Sequence, residues 1–353
     1  MASHEDKRRR GEADQILVEE RGCLRTLTLN RPQQLNAMSY QMLQQIWKLF
    51  IEYEEDPNVK LVILKGKGRA FCAGGDVLSM AHFVNDGRNF FSCSPQTYRD
   101  KDVTNVSLLD GFVMGGGGGL SIHGKFRVAT ENTSLDTCDY LFLTGARLDG
   151  AEMLSCGLAT HFVSSKKLPL LEEALVKVDK AVPATVCSII DEFSQHAPLK
   201  ETSVLNRTDV IDRCFSRRTV EEILSTLEQE ATRGPDEWIA ATIQTLKKAS
   251  PTSLKVSLRS IREGRLQSVG QCLIREYRIC CHVFRGEVSR DFFEGCRAVL
   301  LDKDKNPKWE PSKLDLVGEK MVDQYFSRVD DEEWKDLKLP TRSNLAVSAV
   351  AKL

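Results

Sequence analysis

Five consecutive glycines, Gly115 to Gly119, lie between the apolar segments Phe112-Val-Met114 and Leu120-Ser-Ile122. Glycine loses more backbone entropy on ordering than any other residue, so such a run is costly inside a packed strand or helix. It is expected where the backbone turns sharply or lies directly against a ligand. Ahead of an amphipathic stretch it also sets free N–H groups at a helix start, where an anion or a polarised carbonyl oxygen can be held. A flexible linker is the competing reading, but linkers are polar on both sides and this run is flanked by apolar residues.

The rest of the chain must supply a scaffold for that turn. Its 353 residues, 41% hydrophobic and 28% charged, suffice for a sizeable core. A net charge of −1 gives no field directed at nucleic acid or an anionic membrane, and no apolar run approaches the roughly 20 residues that span a bilayer. Eleven cysteines without CxxC spacing read as reduced intracellular thiols. None of the six histidines has a metal-ligand spacing with Cys or Asp, so no metal is expected. No G-x-x-x-x-G-K-[ST] occurs, which leaves nucleotide hydrolysis unsupported. The arm 1–14 carries Lys7-Arg-Arg-Arg10 beside Glu5 and Asp6 and reads as solvated. Ala351-Lys352-Leu353 keeps the small-basic-leucine chemistry of a C-terminal peroxisomal address. A peroxisomal location and an import receptor as partner are therefore expected.

Ile16–Val18 and Leu24–Asn30 read as a hairpin turned at Arg21-Gly22. Ser39 is a plausible N-cap for a helix whose apolar stripe runs through Met42, Leu43, Ile46, Leu49, Phe50 and Tyr53 to Asp56-Pro57. Val59–Leu64 reads as a buried strand, followed by Lys65-Gly-Lys-Gly-Arg69 and then Ala73-Gly74-Gly75-Asp76. Val106–Leu109 with Phe112–Met114 is expected to form one further strand, and Phe126–Thr130 another. Each glycine turn thus follows a strand and opens a helix, an α/β pattern. Two such turns can aim backbone N–H groups at one point, as an oxyanion hole does. Beyond about Leu170 helical stripes dominate: Val220-Ile223-Leu224-Leu227, Trp238-Ile239-Thr242-Leu246, Leu254-Leu258-Ile261 and Cys272-Leu273-Tyr277-Cys280-Cys281.

Leu29-Asn-Arg-Pro32, Leu35-Asn36-Ala37, Ala70-Phe-Cys-Ala-Gly-Gly-Asp76 and Met114-Gly-Gly-Gly-x-Gly-Leu120 together resemble the enoyl-CoA hydratase/isomerase (crotonase) superfamily. Leu143-Thr-Gly-Ala-Arg-Leu-x-Gly150, Gly157-Leu-Ala-Thr-His-Phe-Val163, Glu276-Tyr277, Asp291–Ala298 and Asp302–Trp309 are similar to its 3-hydroxyisobutyryl-CoA hydrolase branch, of the plant peroxisomal type. The resemblance implies a crotonase-type α/β spiral of ββα units with a helical C-terminal region. It divides the chain into an arm 1–14, an acyl-CoA-binding core 15–170, a helical region 171–335 and a tail 336–353. It further implies a thioester carbonyl held by the N–H groups that match Ala73 and Gly116, with Gly74, Gly75, Asp76 and Gly115 lining the substrate. CoA enters as part of the substrate and no separate cofactor is implied. Expected partners are the acyl-CoA, the import receptor and further copies of the chain.

The sequence departs from that family at the carboxylates. The family's glutamate and aspartate stand in Met-Pro-Glu and Pro-Asp segments just beyond the strand matching Phe126–Thr130. Here Glu131-Asn-Thr133 runs through Ser134–Thr144 straight into Gly145-Ala-Arg147. Counted forward, Asp139 takes the glutamate's place; counted backward, it falls on an unremarkable helix residue. The segment before the glycines contains Pro95, with Asp100 and Asp102 as its nearest, solvated acids. Lys65, Lys67 and Arg69 read either as CoA-phosphate contacts or as a solvated loop, His123 as a partly buried structural histidine, and Asp76 as a helix-start acid. The expectation is hydrolysis of 3-hydroxyisobutyryl-CoA, a step of valine breakdown, weakened by the missing carboxylates. The alternatives are a non-catalytic protein that binds CoA esters or pairs with an active relative, and a hydratase or isomerase.

Overall fold

β1 (Ile16–Arg21) and β2 (Leu24–Leu29) form the expected hairpin, pairing antiparallel with Ile16 opposite Leu29. Gly22 turns it with φ +56°, in the left-handed region where a side chain is strained. α1 (Tyr40–Glu55) starts where Ser39 predicts: its hydroxyl accepts from the Met42 amide at 3.2 Å. The helix buries Met42, Ile46, Phe50 and Tyr53 at helical spacing. The computed structural model describes residues 15–77, 103–135, 143–178, 182–329 and 334–339. The arm 1–14, Asp100, Asp102, Asp139 and the tripeptide Ala351-Lys352-Leu353 lie outside the described residues.

After α1 the chain repeats one path. β3 (Leu61–Gly66) joins a first sheet, and β4 (Ala70–Cys72) a second. β5 (Thr104–Leu109) returns to the first sheet and β6 (Phe112–Val113) to the second, followed by α2 (Gly116–Ile122). β7 (Phe126–Ala129) and β8 (Ser134–Leu135) repeat the alternation. β9 (Leu148–Asp149), α3 (Gly150–Ser155) and β10 (His161–Phe162) close it. The first sheet has the order β1-β2-β3-β5-β7-β10, and the second β4-β6-β8-β9. From β2 to β10 the first sheet is parallel. This is a spiral of strand-strand-helix turns, the architecture expected of the chain.

The expected single strand from Val106 to Met114 is two strands in different sheets. Gly111 divides them with φ +85°, and a Cβ there would collide with the Arg69 carbonyl. The chain therefore turns out of β5 against the end of the previous circuit. β2 is buried at all six positions, although three of them are Arg25, Thr26 and Thr28. One sheet face packs Leu24, Leu61, Ile63, Val106, Leu108, Phe126 and Val128 against α4 (Leu168–Val176) and α5 (Pro183–Phe193) through Leu171, Leu175, Val186 and Ile190.

By compactness these strands, α1 to α5 and the segment to Asn206 form one body, and the described residues from Arg207 onward, with 77 and 143–146, belong to a second. The second body is helical: α6 (Thr208–Phe215), α7 (Val220–Ala231), α8 (Glu237–Lys248), α9 (Pro251–Gly264), α10 (Val269–Arg285), α11 (Asp291–Cys296) and α12 (Glu319–Phe326). Thr219 with Glu222, and Ser268 with Gln271, close capping boxes at α7 and α10. The α7 and α8 stripes bury as expected through Val220, Ile223, Leu227, Ile239 and Leu246. On α10 the stripe differs: Arg275, Cys281, His282 and Phe284 are buried, while Cys272 and Leu273 are not. Arg275 can be buried because Gln267 and Ser260 accept from its guanidinium. No described helix is long and apolar enough to cross a membrane.

Candidate active site

The two glycine turns meet backbone to backbone. A Cβ on Gly117 would stand 2.5 Å from the Cys72 carbonyl oxygen, and one on Gly74 would stand 3.1 Å from that of Met114. No side chain fits between the end of β4 and the start of α2. Four of the five glycines consequently lie within α2, contrary to the expectation that the run lies outside regular structure. The entropic cost is real, but only glycine lets this helix approach the neighbouring strand so closely. Gly115 takes φ +46° and ψ −116° as the N-cap residue. Gly116 is the first helical residue, and its amide has no intrahelical partner.

The segment Arg31–Met38 fixes the other turn. Asn36 has no solvent exposure and a left-handed φ of +56°. Its Oδ1 accepts from the Arg31 amide at 2.8 Å, and its Nδ2 donates to the carbonyls of Ala70 at 2.7 Å and Lys67 at 3.0 Å. Arg31 donates to the Ala37 carbonyl at 2.5 Å and pairs with Asp76 at 2.9 Å. The Met38 amide donates to Gly74 O at 2.7 Å, and the Asp76 amide to Met38 O at 2.9 Å. In this parallel bridge the N–H of Gly75 faces away from Met38.

These bonds correct one expectation. The Ala73 amide donates to the Leu35 carbonyl at 2.9 Å, so it is already engaged within the scaffold. Among the described residues, the Gly75 and Gly116 amides make no backbone hydrogen bond, as is also true on these turns of Gly74, Gly115 and Gly118. Gly75 N lies 3.8 Å from where a Cβ on Gly116 would sit. Gly116 is exposed and Gly75 half-buried, so both can be reached from outside. Two adjacent N–H donors on rigid backbone can hold an oxygen on which negative charge develops.

Other candidate residues have structural duties. Asp76 serves Arg31, as described. His123 is exposed at the end of α2, not partly buried as expected. Lys65 pairs with Glu172 at 2.5 Å in a cleft of about 290 Å³ that Lys67 and Asp110 also line. Burial acts to raise the Glu131 carboxyl, but hydrogen bonds from the Ser165 amide at 2.9 Å and hydroxyl at 2.6 Å hold it below its ordinary value. Glu131 caps the turn after β10 and is not a free base. Burial pushes the Cys72 thiol, under the glycine helix, up to about 11 against a weak opposing bond to the Gly74 carbonyl.

Comparison with known proteins shows what the chain is similar to. The profile of the enoyl-CoA hydratase/isomerase family matches residues 24–137 and 134–326. 3-Hydroxyisobutyryl-CoA hydrolase 1 of Arabidopsis thaliana is 55% identical over 374 aligned positions, covering 96% of this chain and 98% of the relative. That alignment is longer than the 353 residues of this chain, so the relative carries positions that this chain lacks. Small ribosomal subunit protein mS47 of the same plant is 40% identical, covering 93% of this chain and 88% of the relative. Among solved structures, a carnitinyl-CoA dehydratase from Mycobacterium thermoresistibile superposes with a TM-score of 0.79 at 29% identity. It covers 91% of this chain and 98% of its own.

Proposed function

Since the chain belongs to the enoyl-CoA hydratase/isomerase family, we propose that it holds a short acyl-CoA by its thioester carbonyl between the amides of Gly75 and Gly116 and hydrolyses it. The substrate this reading names is 3-hydroxyisobutyryl-CoA, after the relative at 55% identity, and the products are 3-hydroxyisobutyrate and CoA, in valine catabolism. The observation that carries the reading is a neighbouring pair of N–H groups without a backbone partner on two touching turns, the first of them braced by the Arg31–Met38 segment. Water adds to the carbonyl carbon, the two amides stabilise the oxyanion, and the thiolate of CoA leaves as the carbonyl re-forms. Removing one such donor costs about 10²–10³ in rate in measured cases.

The water must also lose a proton. Asp139 is the carboxylate that the forward count puts in that role. The family match divides at residues 134–137, which supports a shortened segment there. General-base help is worth about 10²–10⁴, so turnover is expected to be weak. Thiol release from 3-hydroxyisobutyryl-CoA by the purified chain tests this. Weak turnover that Asp139→Asn abolishes assigns the base to Asp139; turnover unchanged in that variant removes Asp139 from the mechanism. Undiminished turnover, matched to the Arabidopsis relative, contradicts the shortened-segment account.

A second reading, a protein that binds CoA esters without turning them over, is favoured by the relative named as a ribosomal subunit protein. Calorimetric binding of the ester with no thiol release would decide for it. The peroxisomal reading rests on Ala351-Lys352-Leu353. A fluorescent protein fused to the N-terminus should reach peroxisomes and fail to do so once these three residues are removed.

A further inference from the structure

The only group of histidine, cysteine and acidic side chains that could share a metal ion, among the described residues, is far from the glycine turns in sequence and unused by the chemistry above. His161 on β10 meets Cys187 and Asp191 on α5, and one ligand atom from each lies within 4.8 Å of the others. The sequence conceals this set, because Cys187 and Asp191 are one helical turn apart while His161 comes from a strand 26 residues earlier. The His161 side chain is 11% exposed and tilted against the Phe126 ring at 5.7 Å. Asp191 is open to solvent.

The hydrogen bonds leave two acceptors of the cluster facing each other. The Thr160 hydroxyl accepts from the Arg127 amide at 2.8 Å and donates to the Arg127 carbonyl at 3.1 Å. Its one hydrogen is then committed, and His161 Nδ1, at 2.8 Å, is assigned as the donor to it. In the neutral ring the Nε2 lone pair faces Asp191 Oδ1 at 3.1 Å, one acceptor against another. The other carboxylate oxygen accepts a hydrogen bond from the Cys187 thiol at 3.6 Å. A cation on this spot would satisfy nitrogen, sulfur and oxygen together.

We infer that His161, Cys187 and Asp191 form a site for a borderline-soft divalent transition ion, zinc by its donor set, with a fourth position open to water. Imidazole and thiolate select against magnesium and calcium, which prefer oxygen. Zinc bonds of about 2.0–2.3 Å separate tetrahedral ligands by roughly 3.3–3.7 Å; His161 Nε2 lies 3.1 Å from Asp191 Oδ1 and Cys187 Sγ 3.6 Å from Asp191 Oδ2, one just below that range and one within it. Binding sends the Cys187 proton to solvent, leaving the thiolate on the metal. Thr160, at 2.8 Å from Nδ1, fixes the ring's tautomer and orientation. The ion would clip β10 to α5, whose Val186 and Ile190 pack in the sheet core, and stabilise the body by mass action.

The test uses the full chain, reduced and freed of metal by chelation, titrated with Co²⁺. One equivalent should give tetrahedral visible bands and a thiolate-to-cobalt charge-transfer band, both displaced by Zn²⁺. Zn²⁺ should raise Tm in the wild type. Cys187→Ser, at a half-exposed position outside the catalytic machinery, should lose the charge-transfer band and the Tm increment while keeping its far-ultraviolet circular dichroism and its CoA-ester binding. Asp191→Asn should weaken the visible bands. A wild type with no cobalt spectrum overturns the site and leaves a simple His161–Asp191 ion pair. The same band persisting in Cys187→Ser overturns it too, by assigning the metal to another of the eleven thiols.

Discussion

Asn36 touches three backbone groups of three separate residues, yet no atom of it is exposed. Truncation to alanine would strand the Arg31 amide and the carbonyls of Lys67 and Ala70, where an unmade buried hydrogen bond costs about 1–3 kcal/mol. Asn36→Ala should therefore lower Tm by several degrees, read by calorimetry, and lower CoA-ester affinity, because the β4 turn loses its brace. A conservative Asn36→Asp change restores an acceptor but no donor and should remain impaired. Cys72 yields a different prediction. With its thiol pushed up to about 11 by burial, almost none of it is thiolate at neutral pH. Mass spectrometry after brief iodoacetamide treatment of the folded protein should find Cys72 unmodified and exposed Cys156 labelled.

At the scale of elements, the five glycines are not equivalent. Gly117 is packed against Cys72, whereas a Cβ on Gly119 meets nothing within 4 Å. Gly117→Ala should push α2 off β4 and abolish thioester binding. Gly119→Ala should leave binding intact and stabilise the fold by about 0.5–1 kcal/mol, since it removes only unfolded-state freedom. Equal effects on Tm would contradict the close approach. This distinction marks how far the sequence could be read. The run visibly belonged to a site, as did Ala73-Gly74-Gly75, and the hairpin, the Ser39 cap and the α1 stripe followed from local chemistry. That α2 itself consists of glycines did not, because its reason is a strand brought alongside from another circuit. Nor could sequence show which amide of Ala73–Gly75 is free. That depends on pairing with Leu35–Met38, which assigns Ala73 N to Leu35 and leaves Gly74 N and Gly75 N without a backbone partner. The split at Gly111 was hidden for the same reason, the crowding carbonyl of Arg69.

At the scale of the whole molecule, the helical body depends on ion pairs that acid removes. Arg297 donates to Glu294 at 2.8 and 2.9 Å, to Asp302 at 2.6 Å and to Asp304 at 2.7 Å. Arg297 and the Lys308 amide hold Glu294 down at about 2, below its ordinary 4.5. A depressed carboxylate contributes stability fully above its unfolded value and loses it as pH falls through the folded one. The loss from this group thus runs from about pH 4.5 to about pH 2, and Arg297→Gln should lower Tm at neutral pH while flattening that acid limb. The catalytic body raises a different question, which is whether its two amides act on a carbonyl at all. Isotope-edited infrared difference spectra of a bound acyl-CoA analogue, with a methylene in place of sulfur and a ¹³C-labelled carbonyl, answer it directly. Two N–H donors from Gly75 and Gly116 should shift the carbonyl stretch to lower frequency than in water, and with Gly117→Ala no bound-carbonyl band should remain. A bound analogue whose carbonyl absorbs as it does in water would contradict the assignment.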